Sequence, residues 1–313
     1  MSKELVSIPL PETMPFAQSR AEHEVRWING SDGQPLACRV YPAVGQNPVL
    51  IYLHGIEGHS QWFQHTAARL NSKGIGIYAC DRRGSGLNMS NRGHVSNKKV
   101  LLADIEIILR TVAIENTGRP IFMFGNCWGG KPACNICRDD YETTDGKALP
   151  PVAGLILTSP AIFTKVDLNL RSKLDIAWSI ARGGTHGEQH IKIPIESYMF
   201  TNDPTYLEFI EQDPLRIVLA TKRFYFEQFF ITLNAKFAQK HLQLPILLLE
   251  SGEDHIVNLP ALNNWFDQLA SRDKTKVMFE NAAHSLDFDP ACFDEYCQTL
   301  MKWLAQHSPG MVA

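Results

Sequence analysis

Cys127 is the residue of this chain with the clearest potential for covalent chemistry. It stands in the sequence Phe124-Gly-Asn-Cys-Trp-Gly-Gly130, after a short apolar stretch and before a stretch that can form a helix. A sharp turn from strand to helix strains its central residue, and Gly125 and Gly129 would let strand and helix approach closely. The helix N-terminus carries a partial positive charge that favours a thiolate. The pattern therefore predicts a nucleophilic cysteine.

A nucleophilic cysteine needs a general base, and the base needs an acid that orients it. Asp254 and His284 follow Cys127 in chain order, each after a short apolar stretch that predicts a strand. We expect His284 to take the thiol proton and return it to the leaving group, and Asp254 to fix the tautomer of the imidazole. Three other carboxylates close by in sequence could take the place of the acid: Glu253, Asp287 and Asp289.

The elements that must position these residues are short apolar strands alternating with amphipathic helices. Six nearly continuous apolar stretches predict strands buried on both faces, as in a parallel sheet covered by helices: 49–53, 75–80, 121–124, 155–157, 246–249 and 277–279. Longer stretches between them predict crossover helices: 62–73, 101–116, 130–140, 260–271 and 293–307. Before the sheet, 24–28 and 36–41 flank a turn sequence and predict a β-hairpin. Because ligands bind at the carboxyl ends of such strands, the unusual residues should meet there.

Residues 163–240 interrupt this alternation. The interval holds 12 of the 30 aromatic residues and shows no clear strand repeat. We predict a helical cap, inserted into a core domain formed by residues 1–162 and 241–313; an ordinary helical excursion with its own aromatic core is the alternative. As a cap, it would line an apolar acyl pocket with four side chains: Phe224, Phe226, Phe229 and Phe230.

Together these motifs resemble the α/β-hydrolase superfamily, and within it the branch of monoglyceride lipases and lysophospholipases. The resemblance covers roughly residues 35–306 and rests on five motifs: His54-Gly55, Asp81-x-Arg83-Gly84-x-Gly86, the Cys127 turn, Asp254-His-Ile-Val257 and Ala283-His284-Ser285. It implies the α/β-hydrolase fold, with a mostly parallel sheet, and an oxyanion hole made by the backbone N–H groups of Ile56 and Trp128. We expect His54 and Asp81 to hold loops by hydrogen bonds.

Cys127 departs from that branch, which carries serine at this position. Cysteine occurs there in dienelactone hydrolases, polyhydroxyalkanoate synthases and some polyketide thioesterases. A thioester intermediate forms from another thioester at little free-energy cost, whereas its formation from an oxygen ester is uphill. We therefore predict a thioesterase or acyltransferase that takes activated acyl thioesters, with a plain ester hydrolase or lipase as the alternative. A ligand-binding protein on a retired hydrolase fold is a third interpretation, and the retained His284 and Asp254 argue against it.

A basic segment suggests a partner. Five basic residues and no acidic one lie between positions 82 and 103, directly after the predicted strand 75–80: Arg82, Arg83, Arg92, Lys98 and Lys99. An acidic acyl carrier protein, or the phosphates of coenzyme A, would fit a positive patch on the active-site face. A solvated loop with Arg83 tied into its own turn is the alternative.

Composition excludes several other classes. A net charge of −3 with 20% charged residues shows no bias toward nucleic acid or a membrane surface. No apolar stretch approaches the ~20 residues of a membrane span, and Met1–Leu5 lack the apolar region of a signal peptide. We therefore expect a cytoplasmic protein.

The seven cysteines show no framework spacing, so we expect them to be reduced. Four lie in apolar or helical patterns typical of buried cysteines: Cys38, Cys80, Cys292 and Cys297. The spacing of Cys134 and Cys137 permits redox or metal chemistry, but no second pair of ligands accompanies it. We predict no metal and no cofactor.

Overall fold

The structure is a computed structural model that describes residues 23–311 of the chain. Met1–Leu5, which by sequence lack the apolar region of a signal peptide, lie outside the described residues. So do the two ends of the predicted core domain, 1–22 and 312–313.

Ten strands are present in the described residues: β1 (Glu24–Asn29), β2 (Pro35–Tyr41), β3 (Val49–Leu53), β4 (Gly76–Cys80), β5 (Ile121–Asn126), β6 (Gly154–Thr158), β7 (His190–Lys192), β8 (Leu219–Thr221), β9 (Ile246–Ser251) and β10 (Lys274–Phe279). Eight of them form one sheet in the order β1-β2-β4-β3-β5-β6-β9-β10. The predicted hairpin, β1 and β2, pairs antiparallel and joins the sheet antiparallel to β4. The remaining pairings are parallel, as the apolar stretches predicted.

The helices in the same part of the chain are α1 (Gln64–Asn71), α2 (Lys98–Glu115), α3 (Gly130–Ile136), α4 (Leu170–Arg182), α5 (Pro204–Gln212), α6 (Lys222–Lys236), α7 (Leu259–Asp267) and α8 (Phe293–Gln306). The five predicted crossover helices correspond to α1, α2, α3, α7 and α8. Helix α3 ends before the predicted residue 140. There the chain turns away, and the Asp139 N–H donates to the His241 carbonyl at 2.9 Å.

Strand β3 shows how the sheet is buried. Val49, Ile51 and Leu53 pack in one apolar core, while Leu50 and Tyr52 pack in a second. Successive residues of a strand point to opposite faces, so both faces of the sheet are covered. This arrangement, a mostly parallel sheet between two layers of helices, is the predicted α/β-hydrolase fold. Among the described residues, no helix combines the length and apolarity required to cross a bilayer.

The chain between β6 and β9 leaves the sheet and forms the segment that we call the cap. It contains α4, α5 and α6, and α6 packs against α3, the helix that follows Cys127. It also contains β7 and β8, which pair antiparallel. The prediction of a purely helical cap missed them, because strands of three residues are too short to show an alternating pattern. The division of the chain at residues 163 and 240 stays a prediction.

Two cysteines correct the prediction of seven reduced thiols. Cys38 on β2 lies directly opposite Cys80 on β4, and the two form a disulfide. They are 42 residues apart, and only the pairing of these two strands brings them together. The other five cysteines are free.

Candidate active site

Cys127 lies at the sharp turn between β5 and α3. Its φ is +51°, in the left-handed region that residues with side chains rarely adopt. The flanking glycines explain how strand and helix meet here. A Cβ on Gly129 would lie 2.0 Å from the Leu53 carbonyl oxygen, and one on Gly125 would lie 2.6 Å from the Gly130 Cα. The predicted strain and close approach are both present.

His284 and Asp254 come together at the same edge of the sheet. Nδ1 of His284 lies 2.8 Å from Oδ2 of Asp254, and both side chains are buried. The other carboxylate oxygen, Oδ1, accepts from the N–H groups of Ile256 at 2.7 Å and Val257 at 2.8 Å. Three bonds therefore hold the Asp254 carboxylate in one orientation. Burial opposes its ionisation, but His284 and these hydrogen bonds hold the pKa of Asp254 below its usual value.

The charge state of His284 depends on two neighbours. Burial alone would lower its pKa, but the Asp254 carboxylate and the Cys127 sulfur together raise the pKa of His284 to about 10. The imidazole is therefore protonated at neutral pH when Cys127 is a thiolate. Its Nε2 is buried, and among the described residues it has no hydrogen-bond partner other than the Cys127 sulfur. That nitrogen is free to exchange a proton with the thiol or with a leaving group.

The competing acids lie elsewhere. Asp287 accepts from the Thr66 hydroxyl, and its burial without a cation raises its pKa to about 7. Glu253 accepts from Asn202 Nδ2 at 3.0 Å. Asp289 accepts from the Ala291 N–H at 3.0 Å. None of these three carboxylates forms an ion pair with His284 in the described part of the chain.

The residues of the predicted oxyanion hole flank the thiol. Trp128 begins the helical turn after Cys127, where N–H groups lack an intrahelical acceptor. Ile56 belongs to the loop His54-Gly55-Ile56, which we call the 54–56 loop. This loop lies against Cys127, since a Cβ on Gly55 would lie 3.2 Å from the Cys127 Cβ. Ile56 and Trp128 also line one cavity with Cys127.

Arg82 supports this arrangement, and sequence reasoning assigned it no such part. Its guanidinium donates to the carbonyl oxygens of Gly55 at 3.3 Å and Ile56 at 2.9 Å, and lies 4.6 Å from the Trp128 ring centroid. Burial lowers the pKa of Arg82 to about 10, so it stays charged at neutral pH. The sequence signal was its position at the carboxyl end of β4, beside the active-site edge.

His54 and Asp81 hold loops, as predicted. Nε2 of His54 accepts from the Arg82 N–H at 2.9 Å, and burial lowers the pKa of His54 to about 3, so the ring is neutral. Asp81 accepts from the N–H groups of Ser60 at 2.7 Å and Leu87 at 2.9 Å.

Two adjoining cavities lie beside Cys127. The inner cavity, of about 80 Å³, is lined by Cys127 and by residues of the core and the cap. The second, which we call the chamber, has a volume of about 540 Å³ and lies under α4 and α6. Six residues line both spaces: Lys131, Thr164, Asp167, Leu168, Tyr225 and Gln228.

The four predicted pocket phenylalanines lie in different places, and for the two that line the chamber the acyl-pocket role stays a prediction. None of the four lines the inner cavity, where α6 presents Tyr225 and Gln228 instead. Phe224 packs behind the site, 5.6 Å from the Trp128 ring. Phe230 lies under the Lys98 ammonium at 4.9 Å. The other two line the chamber: Phe226 and Phe229.

The five basic residues do not assemble into one docking surface. Arg82 is engaged with the 54–56 loop, and Arg83 is buried in ion pairs with Asp32 and Asp104, both at 2.9 Å. Arg92 donates to the carbonyl of Leu215 in the cap at 2.7 Å. Two lysines remain: Lys98 lies over the Phe230 ring, and Lys99 is exposed at the surface. Three of the five basic residues therefore satisfy internal acceptors, and docking of an acyl carrier protein or coenzyme A stays a prediction.

Few groups could hold a metal. Asp139, Asp140 and His241 place three ligand atoms within 4.8 Å of one another, and none of them lines the cavity at Cys127. Cys134 and Cys137 are separate free thiols. Burial raises the pKa of Cys137 to about 12, so the pair lacks the ready thiolate of a redox site.

A mostly parallel sheet, with a strained residue at the turn after β5 and a His–Asp pair at the same edge, defines an enzyme of the α/β-hydrolase class. The chain belongs to the family described as serine aminopeptidase, S33, whose model matches residues 46–291.

Named relatives agree with this class. The human monoglyceride lipase is 23% identical over 95% of this chain and 94% of its own length. An abhydrolase domain-containing protein of Dictyostelium discoideum is 26% identical over 88% of this chain, which spans only 28% of that protein. Among solved structures, a soluble variant of the Saccharomyces cerevisiae monoglyceride lipase covers 95% of this chain and 99% of its own, with a TM-score of 0.78 and 17% identity. The Paleococcus ferrophilus monoacylglycerol lipase covers 87% and 99%, with a TM-score of 0.72 and 23% identity.

Proposed function

We propose that this protein is a carboxylic ester hydrolase that works through a covalent acyl intermediate on Cys127. The observation that carries the proposal is the strained turn of Cys127 beside the buried His284–Asp254 pair. Strain is retained where it serves a mechanism, and the thiol and imidazole are the groups that acyl transfer requires.

The reaction proceeds in two stages. The Cys127 thiolate attacks the ester carbonyl, and the N–H groups of Ile56 and Trp128 stabilise the oxyanion. The carbon–oxygen bond to the alcohol breaks, and protonated His284 gives its proton to the departing alkoxide. Water then attacks the thioester, His284 takes a proton from that water, and the carboxylic acid leaves as Cys127 is restored. Asp254 stabilises the imidazolium in each stage.

The choice of an ester follows from the relatives. The cysteine by itself favours thioesters. Three of the four named relatives are monoglyceride or monoacylglycerol lipases, and these favour the ester hydrolase, which was the alternative from the sequence. Apolar residues line much of the chamber, among them Ile176, Ala177 and Leu233, which suits an acyl chain. Each methylene buried there should contribute about 0.8 kcal/mol to binding.

Intact-protein mass spectrometry tests the proposal. We expect 4-nitrophenyl octanoate to release nitrophenol and to leave an octanoyl adduct on Cys127 in samples quenched at early times. Cys127→Ala should lose both, while Cys292→Ala, which changes another free cysteine, should keep both. Unchanged turnover in Cys127→Ala would refute the covalent mechanism, and absence of turnover with every ester and every thioester would favour a non-catalytic binding protein.

A second candidate is a thioesterase or acyltransferase, and the sulfur of Cys127 is the observation that favours it. Its donor would be an acyl thioester of coenzyme A or of an acyl carrier protein. Octanoyl-coenzyme A and an octanoyl oxygen ester, compared at equal concentration, separate the two functions. A kcat/KM for the thioester more than about a hundredfold above that for the ester would replace the first proposal with the second.

A further inference from the structure

Lys131 is a buried cation close to the nucleophile. It lies on α3, four residues after Cys127, and only 7% of its surface is exposed. Its Nζ donates to Oε1 of Gln228, on the cap helix α6, at 3.2 Å. Within residues 23–311, Lys131 takes part in no ion pair, and Asp167 is the carboxylate whose charge acts on it. Because burying an ammonium without an acid is unfavourable, such groups are nearly always paired.

Its position relates the cation to the substrate path. Lys131 and Gln228 line the inner cavity that contains Cys127 and also line the chamber. A substrate that places its carbonyl at Cys127 and extends into the chamber must lie beside Lys131.

The charges around this junction are predominantly positive. Asp167 is the one carboxylate that lines the chamber in the described residues, and it pairs with Lys173. Lys236, also on the chamber wall, lies 4.9 Å from the Phe163 ring. Burial and Lys236 lower the pKa of Lys131, while Cys127 and Asp167 raise it, to a net value of about 8. Lys131 is therefore mostly charged at neutral pH.

We propose that the substrate of this enzyme carries an anionic group, a carboxylate or a phosphate, which pairs with Lys131 while the scissile carbonyl lies at Cys127. The inference rests on the proposed function and specifies its substrate class. The ligand then supplies an anion in direct contact with the ammonium, where the described residues supply only the neutral Gln228 acceptor. A charged hydrogen bond of this kind should favour the anionic substrate about tenfold to a hundredfold over a neutral one.

Matched esters test the pairing on the acyl side. We compare kcat/KM for 4-nitrophenyl monoesters of adipic and suberic acid with the same compounds capped as methyl esters, which have equal length and no charge. The wild type should prefer the anion. Lys131→Met should abolish the preference and Lys131→Arg should keep it. Lys99→Met, which removes a surface lysine outside both cavities, should also keep it.

A second comparison tests for a phosphate on the alcohol side of the ester. A monoacylglycerol phosphate and a monoacylglycerol of the same chain length differ by the anionic phosphate group on the alcohol side. A preference in this comparison alone identifies a phosphate on the leaving group, and a preference in the first comparison alone identifies a carboxylate on the acyl group. Two results would overturn the proposal: no preference for the anionic substrate in either comparison, or an equal loss of kcat/KM for the anionic and the neutral substrate in Lys131→Met. Lys131 would then act only on the charge of Cys127.

Two further measurements complete the test. The first needs no Lys131 variant, and the second needs no turnover. In the wild type, the ratio of anionic to neutral kcat/KM should fall between pH 7 and pH 9 as Lys131 loses its proton; both substrates share His284, whose titration cancels in the ratio. In Cys127→Ala, calorimetry should show tighter binding of monomethyl adipate than of dimethyl adipate. If no ester is turned over, the proposed function fails, and this binding difference still decides whether Lys131 recognises an anion.

Discussion

The Arg82 guanidinium lies 4.6 Å from the Trp128 ring centroid and also donates to the Ile56 carbonyl oxygen at 2.9 Å. One buried cation therefore contacts both residues whose N–H groups form the proposed oxyanion hole. The peptide groups of the 54–56 loop cannot rotate freely while two of its carbonyls are bound to Arg82. The distance between the two N–H donors thus depends on a side chain outside the triad.

Arg82→Ala should lower kcat about tenfold to a hundredfold and leave KM nearly unchanged, because an oxyanion donor acts mainly on the transition state. Steady-state kinetics with an ester measure the split. Arg92→Ala is the matched control, since Arg92 also donates to backbone carbonyls, those of Gly86 and Leu215, but not to the 54–56 loop. Equal loss of kcat in both variants would show a general effect on stability instead.

Asp254→Asn should lower kcat/KM by about two to four orders of magnitude, because the amide does not stabilise the imidazolium and favours the wrong tautomer. Asp287→Asn should keep most of the activity, since Asp287 bonds to Thr66. Thermal unfolding confirms that both variants are folded. A greater loss of rate in Asp287→Asn would mean that the acid is misassigned.

Cys127 should react with iodoacetamide before the other free cysteines at pH 7. Burial raises the pKa of Cys137 and of Cys292 to about 12, and raises those of Cys134 and Cys297 as well, so these four remain thiols. Peptide mapping after partial labelling gives the order. His284→Ala should slow the labelling of Cys127, because the imidazolium that stabilises its thiolate is gone. Faster labelling of Cys137, the half-buried neighbour on the same segment, would contradict this.

Asp287 should make stability depend on pH. Its pKa is about 7 in the folded protein against an ordinary value of 3.8, because the ionised carboxylate is buried. Between these values the folded state binds the extra proton, so the free energy of unfolding falls as pH rises through this range and levels off above pH 7. The Asp287→Asn variant has no carboxyl group to ionise at this position. Its free energy of unfolding, relative to that of the wild type, should therefore rise by about 2–4 kcal/mol from pH 4 to pH 8. Urea denaturation at the two pH values measures this, and an unchanged difference would show that Asp287 stays neutral or is hydrated.

Much of the architecture followed from sequence because the signals were local. The apolar stretches around Leu50, Phe122 and Leu247 could be buried only as central strands, and the glycines around Cys127 predicted its turn. The positions of Asp254 and His284 then followed from the common edge at which parallel strands end.

The side of a helix that faces a cavity was harder to predict. Helix α6 contacts both α3 and α4 and also borders the chamber, so its aromatic residues point in several directions. Phe226 and Phe229 line the chamber together with Tyr225, Gln228 and Thr232, whereas Phe224 and Phe230 pack against other neighbours. The Cys38–Cys80 disulfide was equally hidden, because it depends on strand pairing across 42 residues.

Gly129 has a consequence for how far related chains can diverge. Its Cα packs against the Leu53 carbonyl so closely that the contact is made by main chain on both sides. Cys127 is thus positioned by main-chain geometry, which every amino-acid sequence shares, rather than by the shapes of core side chains. Core residues can differ widely while the fold is kept, as the TM-score of 0.78 at 17% identity to the yeast lipase shows for the fold. A single methyl group at position 129 should therefore shift the Cys127 turn more than many substitutions in the interior.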